Sequence, residues 1–166
     1  MIDFISTMIY ISPMKNELFS YFAGLFDGEG CIQVVKYTAH NTRRKTKVYG
    51  LQVTVNMSSI SPQKLLKKHF GGSIINRKGA IPNHRDTHVW QIWGAKAMFF
   101  LKAIYPYSMI KKEQIENAIE FQEHLEVFQK VWPKIKGKST NTLPSEVIEY
   151  REKLFKKAKD LKKDFH

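Results

Sequence analysis

A chain of 166 residues, 43% hydrophobic and 13% aromatic, can bury a substantial core and is too apolar to be disordered. Its 27 Lys and Arg against 15 Asp and Glu leave a net charge of +12, which points to a polyanionic partner, nucleic acid first and a membrane surface second. The single Cys31 excludes an intrachain disulfide and a cysteine-based zinc cluster within one chain, and no segment reaches the ~20 apolar residues of a spanning helix.

Residues 1–14 are apolar but contain Asp3 and lack a basic n-region, a poor match to a signal or transit peptide. Ser12-Pro13 predicts a helix start, with a capping hydroxyl and a proline at the first helical position. Leu18, Phe22 and Leu25 supply that helix with an apolar stripe. Ala23, Gly24, Asp27 and Gly28 fall at i, i+1, i+4 and i+5, on one face without bulk, against which a second helix can approach closely. Glu29, between Gly28 and Gly30, is expected to emerge where the helix ends, because glycine is the usual helix terminator.

Ile32 to Tyr37 reads as a strand. A polar tip from His40 to Lys47 follows, carrying Asn41, Arg43, Arg44, Lys45 and Lys47. Tyr49 to Met57 is a second strand, in which Leu51, Val53 and Val55 alternate with Gln52, Thr54 and Asn56. With Ile32, Val34 and the apolar set of the second strand turned to the core, Gln33, Val35, Tyr37, Gln52, Thr54 and Asn56 face outward. Ser61-Pro62 opens a second helix that Gly71-Gly72 ends. Residues 73–78 and 86–93 form a second hairpin, where Trp90 and Ile92 alternate with Val89, Gln91 and Trp93. Its polar candidates are Asn76 or Arg77, with Lys78, Arg85, Thr87 and Gln91.

Ala95 to Ile104 is helical and stops at Pro106. A longer helix from Lys111 to Val131 places Ile115, Ala118, Ile119, Gln122 and Leu125 on one face. After a loop at 133–144, Ser145 to Lys163 forms a lysine-rich helix suited to phosphate contacts. The sum is one α+β domain over residues 1–166, with a core at about 12–130, a four-stranded antiparallel sheet, and a C-terminal loop and basic helix at 133–166.

The run Phe22-Ala23-Gly24-Leu25-Phe26-Asp27-Gly28-Glu29-Gly30 resembles the signature of the LAGLIDADG homing endonucleases, and the αββαββα order with extra C-terminal helices is similar to that family's fold. Trp90-Gln91-Ile92-Trp93-Gly94 looks like the family's last sheet strand. Tyr105 to Gln114 looks like its proline-then-lysine stretch, with Lys111 the best match to the active-site lysine and Lys112 the second. The chain departs from the pattern in carrying Glu29 where the motif usually has Asp. The family's polar residue at the end of the second strand has three candidates here, Asn56, Met57 and Ser58.

The resemblance implies Glu29 and Lys111 as catalytic residues and Glu29 with Gly28 as Mg²⁺ ligands. One motif per chain implies a homodimer joined through Ala23, Gly24, Asp27 and Gly28. The product would be a double-strand break with short 3′ overhangs in a long pseudo-palindromic duplex, serving intron mobility. The outward strand residues and the two hairpin tips would bind the DNA. The family also contains RNA maturases, which bind a host intron and assist its splicing, so intron RNA is the alternative partner. The 22 Lys against 5 Arg fit A+T-rich coding DNA and an organellar home.

Overall fold

The structure is a computed structural model that describes residues 13–38, 47–79, 85–131 and 144–163. Helix α1 (Pro13–Glu29) begins on the proline and passes directly into β1 (Gly30–Thr38). Then follow β2 (Lys47–Met57), α2 (Ser61–Phe70), β3 (Ser73–Arg77), β4 (Thr87–Trp93), α3 (Gly94–Ile104), α4 (Lys112–Val131) and α5 (Ser145–Lys163). The four strands form one antiparallel sheet in the order β1-β2-β4-β3. This is the α+β architecture expected from the sequence, αββαββα with additional C-terminal helices.

Alternation along the strands sorts the sheet into two sides. Ile32, Val34, Leu51, Val53, Val55, Trp90 and Ile92 are buried beneath the helices. Cys31, Gln33, Val35, Tyr37, Gln52, Thr54, Asn56, Gln91 and Trp93 lie on the other side. An aromatic cluster fills the space under the sheet. Phe100 sits edge-on to Phe70, Trp90 and Phe26 at centroid distances of 4.9, 5.2 and 5.3 Å. The Trp90 indole N–H donates to the Gly71 carbonyl at 2.8 Å, so the buried ring leaves no orphan donor. Gly72 is in the left-handed region at φ 85, and a Cβ there would lie 2.3 Å from Ile92 Cγ2, so this turn requires glycine.

Two helices use more of their surface than the predicted stripes. In α1 the fully buried residues are Phe22, Ala23 and Phe26, while Leu18 and Leu25 are only partly covered. In α4 Phe121 is fully buried and Ile119 partly. Both helices are packed on two flanks, and a single apolar line cannot describe that.

Helix α5 is fastened to α4 and the first hairpin. Leu154 and Arg151 are buried, and Glu152 accepts hydrogen bonds from the Lys36 ammonium and the Tyr49 hydroxyl. Asn117 Nδ2 donates to the Leu154 carbonyl at 3.3 Å, and Gln114 Nε2 donates to the Leu161 carbonyl at 3.1 Å.

Candidate active site

The end of α1 gathers the chemistry. Gly28 and Gly30 do not take positive φ, so they do not stop the helix in the expected way. Gly30 supplies space instead: a Cβ there would lie 2.1 Å from Phe26 Cδ2 and 2.5 Å from the Phe26 carbonyl oxygen. Strand β1 can therefore start against the helix that precedes it, leaving Glu29 exposed at the junction. Among the described residues, no hydrogen bond or ion pair engages the Glu29 carboxylate.

Asp27 is only 9% exposed and turns inward. Its Oδ1 accepts from the Ser108 hydroxyl at 2.7 Å and the Lys111 N–H at 3.1 Å. Its Oδ2 accepts from the Met109 and Ile110 N–H groups at 2.8 and 3.2 Å. Burial alone would raise its pKa, but these four bonds together hold the carboxyl below the usual carboxylate range. Asp27, which the sequence offered for pairing with a second copy, thus clamps the segment before α4 and has its carboxylate taken up within its own chain. Ala23 is likewise fully buried within its own chain. Of the four small or short residues, Gly24 and Gly28 remain on the surface, and a Cβ on either would meet nothing within 4 Å. The exposed side chains of Tyr21, Met109 and Ile110 belong to the same helix and to the segment clamped on it.

The clamp brings Lys111 to α1. Its ammonium donates to the Asp27 main-chain carbonyl, one of the carbonyls left unpaired at a helix end. Burial lowers its pKa, while Asp27, Cys31 and Glu29 pull in the opposite direction. Lys112 points elsewhere, its ammonium 5.3 Å from the centroid of the Tyr105 ring. Lys162, from the far end of α5, reaches the same neighbourhood, 3.6 Å from Cys31 Sγ. No local sequence signal marks Lys162, because the contact spans 131 residues.

The β1–β2 register sets Gly30 opposite Val55, which puts Asn56 one position on, beside the end of α1. Asn56 is exposed on the outer side and Ser58 lies past the strand, whereas Met57 is packed against the core. The outer side carries Gln33 opposite Gln52, Gln52 opposite Trp93, and Thr54 opposite Gln91. Val35 and Tyr37 continue this side toward the first hairpin tip, and Arg77 pairs with Thr87 toward the second. Lys78 and Arg85 are exposed beyond them. Asn76 is on the opposite side of β3, where its Oδ1 meets His88 Nδ1 at 2.8 Å, so of the two alternatives Arg77 takes the outer position. Asn41, Arg43, Arg44 and Lys45 lie outside the described residues, as does the Lys47 side chain.

The exposed Glu29 carboxylate and the Gly28 carbonyl at a helix end are hard oxygen donors of the kind Mg²⁺ takes. Among the described residues, no group of three or more His, Cys, Asp or Glu side chains can hold a metal ion. One chain therefore offers part of a coordination shell, and a second carboxylate or phosphate oxygens would have to complete it. The donor chemistry fits Mg²⁺ on those terms.

Residues 22–90 match the family model described as LAGLIDADG endonuclease. A search of curated proteins finds no match. Among solved structures, the chain is similar to the homing endonuclease I-CvuI in complex with the I-CreI target in 2 mM Mg, with the DNA not cleaved. That match has 17% identity and a TM-score of 0.69, covering 90% of this chain and 85% of that one. I-CvuI with its own target in 2 mM Ca gives 19% identity and a TM-score of 0.68 over the same shares, 90% and 85%. The archaeal intron-encoded homing endonuclease I-Vdi141I, complexed with DNA, gives 17% identity and a TM-score of 0.67, covering 89% of this chain and 85% of that one. No described helix is long and apolar enough to cross a membrane. The motif, the family-model match over residues 22–90 and the fold all resemble those of the LAGLIDADG endonucleases, and the sequence carries one copy of the motif.

Proposed function

We propose that the protein is a site-specific, Mg²⁺-dependent DNA endonuclease that acts as a homodimer. The observation that carries this reading is the exposed Glu29 carboxylate beside a half-buried Lys111 at the end of α1, on the border of an outward polar sheet. The open surfaces of Gly24 and Gly28 suit a second copy of α1, and pairing there would bring two Glu29 carboxylates together across a two-fold axis. When bound, the metal would activate water and neutralise charge on the scissile phosphate. Lys111, anchored to the Asp27 carbonyl, holds a positive charge where negative charge develops on the phosphate and leaving oxygen. Two such half-sites account for cutting both strands, with short 3′ overhangs, in a long pseudo-palindromic target. The role that follows is mobility of a host intron, and the lysine-over-arginine bias favours an organellar one.

Glu29→Gln tests this reading. Cleavage of a site selected from a randomised duplex library is expected to fall by on the order of a thousandfold, the loss of several kcal/mol of metal-derived stabilisation. DNA affinity in the absence of metal should be retained. Equal cleavage by both proteins would overturn the site assignment. Absence of cleavage in both, with tight salt-sensitive binding to structured intron RNA, would identify a maturase instead.

A further inference from the structure

We infer that the target duplex is A·T-rich where it lies over the middle of the sheet, its adenines read by Gln33, Gln52 and Gln91 and a thymine methyl by Trp93. The inference rests on the endonuclease reading and adds the chemistry of the sequence recognised.

The register makes these four side chains one contiguous block on the outer side, with Gln33 facing Gln52, Gln52 facing Trp93, and Gln91 on the next row opposite Thr54. The block is neutral. Among the described outer strand positions there is no Asp or Glu to accept from the cytosine amino group, and the one Arg, Arg77, lies at the far end of β3. Arginine is the usual reader of guanine, whereas glutamine reads adenine through one acceptor and one donor. Direct readout over the block is therefore matched to A·T pairs.

The Gln52 amide is also held in the orientation that adenine needs, while Gln33 Nε2 donates to Cys31 Sγ at 3.8 Å. Gln52 Nε2 donates to Gln91 Oε1 at 3.0 Å, and Gln91 Nε2 donates to Ser73 Oγ at 3.2 Å. This relay uses one hydrogen of each amide nitrogen. Gln52 keeps its Oε1 and a second N–H, the acceptor and donor that the adenine N6 and N7 edge pairs with. Gln91 keeps its second N–H.

Trp93 is 47% exposed beside Gln52 and is the large apolar ring of this block, with Val35 and Ile75 further out on the same side. The apolar group that a major groove presents is the C5 methyl of thymine. A-form RNA lacks that methyl and has a major groove too narrow for side chains, so the block favours DNA over RNA. The net charge of +12 supplies attraction to the duplex without any cation inside the block.

The test is binding selection by the full chain from a randomised duplex library, followed by a thymine-to-uracil scan of the selected site. We expect consecutive A·T pairs in each half of the site, and one position at which uracil weakens wild-type binding about four-fold, the loss of one buried methyl. Trp93→Gln should bind the thymine and uracil duplexes equally, with an unchanged melting temperature showing that it folds. G·C pairs over the block, or wild-type binding indifferent to uracil everywhere, would overturn this inference and leave the endonuclease reading standing. Failure to retain any duplex would overturn both.

Discussion

Asp27 and Gly30 flank the exposed carboxylate, and each does a different structural task. Asp27 satisfies four donors from residues 108–111 with one carboxylate. Asp27→Asn replaces one acceptor oxygen by a donor facing N–H groups, and should cost on the order of 2 kcal/mol in urea unfolding. Because the folded-state pKa of Asp27 lies below its unfolded value, its contribution is complete above the ordinary carboxylate pKa of about 4 and is lost as the pH falls through the depressed folded value. The wild-type melting temperature should accordingly drop on acidification below about pH 5, and the Asn variant should lose part of that slope. Gly30→Ala sets a methyl 2.1 Å from the ring of Phe26, a fully buried residue that cannot swing away. Denaturant unfolding should show a loss of about 1–3 kcal/mol, the usual cost of overpacking.

At the scale of elements, α1 both contributes to the core and carries the site. Its inner flank, Phe22, Ala23 and Phe26, is buried, while its outer flank leaves Gly24 and Gly28 open. Helix α5 had the composition of a phosphate-binding helix, yet its inner side is a structural cover with buried Leu154 and Arg151. Its lysines lie mostly on the remaining exposed surface. Leu154→Ala should therefore lower global stability by about 2–4 kcal/mol, as a core truncation does. A purely surface-bound α5 would instead leave the unfolding midpoint unchanged.

For the whole molecule, one chain holds one exposed Glu29 and an incomplete set of oxygen donors, so assembly and catalysis are coupled under the proposed function. Gly24→Leu separates the two. Among the described residues, a Cβ at Gly24 would meet nothing within 4 Å beyond its own stretch of helix, and replacing a helical glycine should leave the monomer fold intact or stabilise it by about 0.5–1 kcal/mol. The same side chain would hold two α1 helices apart. Sedimentation should show a shift from dimer to monomer, and cleavage should fall with it while the circular dichroism spectrum stays the same. A Gly24→Leu protein that remains dimeric would place the pairing surface elsewhere.

Much of the architecture was legible because local signals repeat. Period-two alternation marked which side of β1, β2 and β4 is buried, Ser61-Pro62 and Gly71-Gly72 bounded α2, and the spacing around Glu29 put it, exposed, at the end of α1. Other features depend on which distant surfaces meet. Asp27 and Ala23 look like Gly24 and Gly28 on a helical wheel, but they face their own chain because α3 and the clamped 108–111 segment cover that flank. Nothing near Cys31 announces Lys162, and nothing near Asn76 announces His88. Sequence periodicity reports the chemistry along one element. Burial, hydrogen-bond partners and the convergence of Glu29 with Lys111 arise only when elements far apart in the chain are brought into contact, and for those the tertiary structure decided.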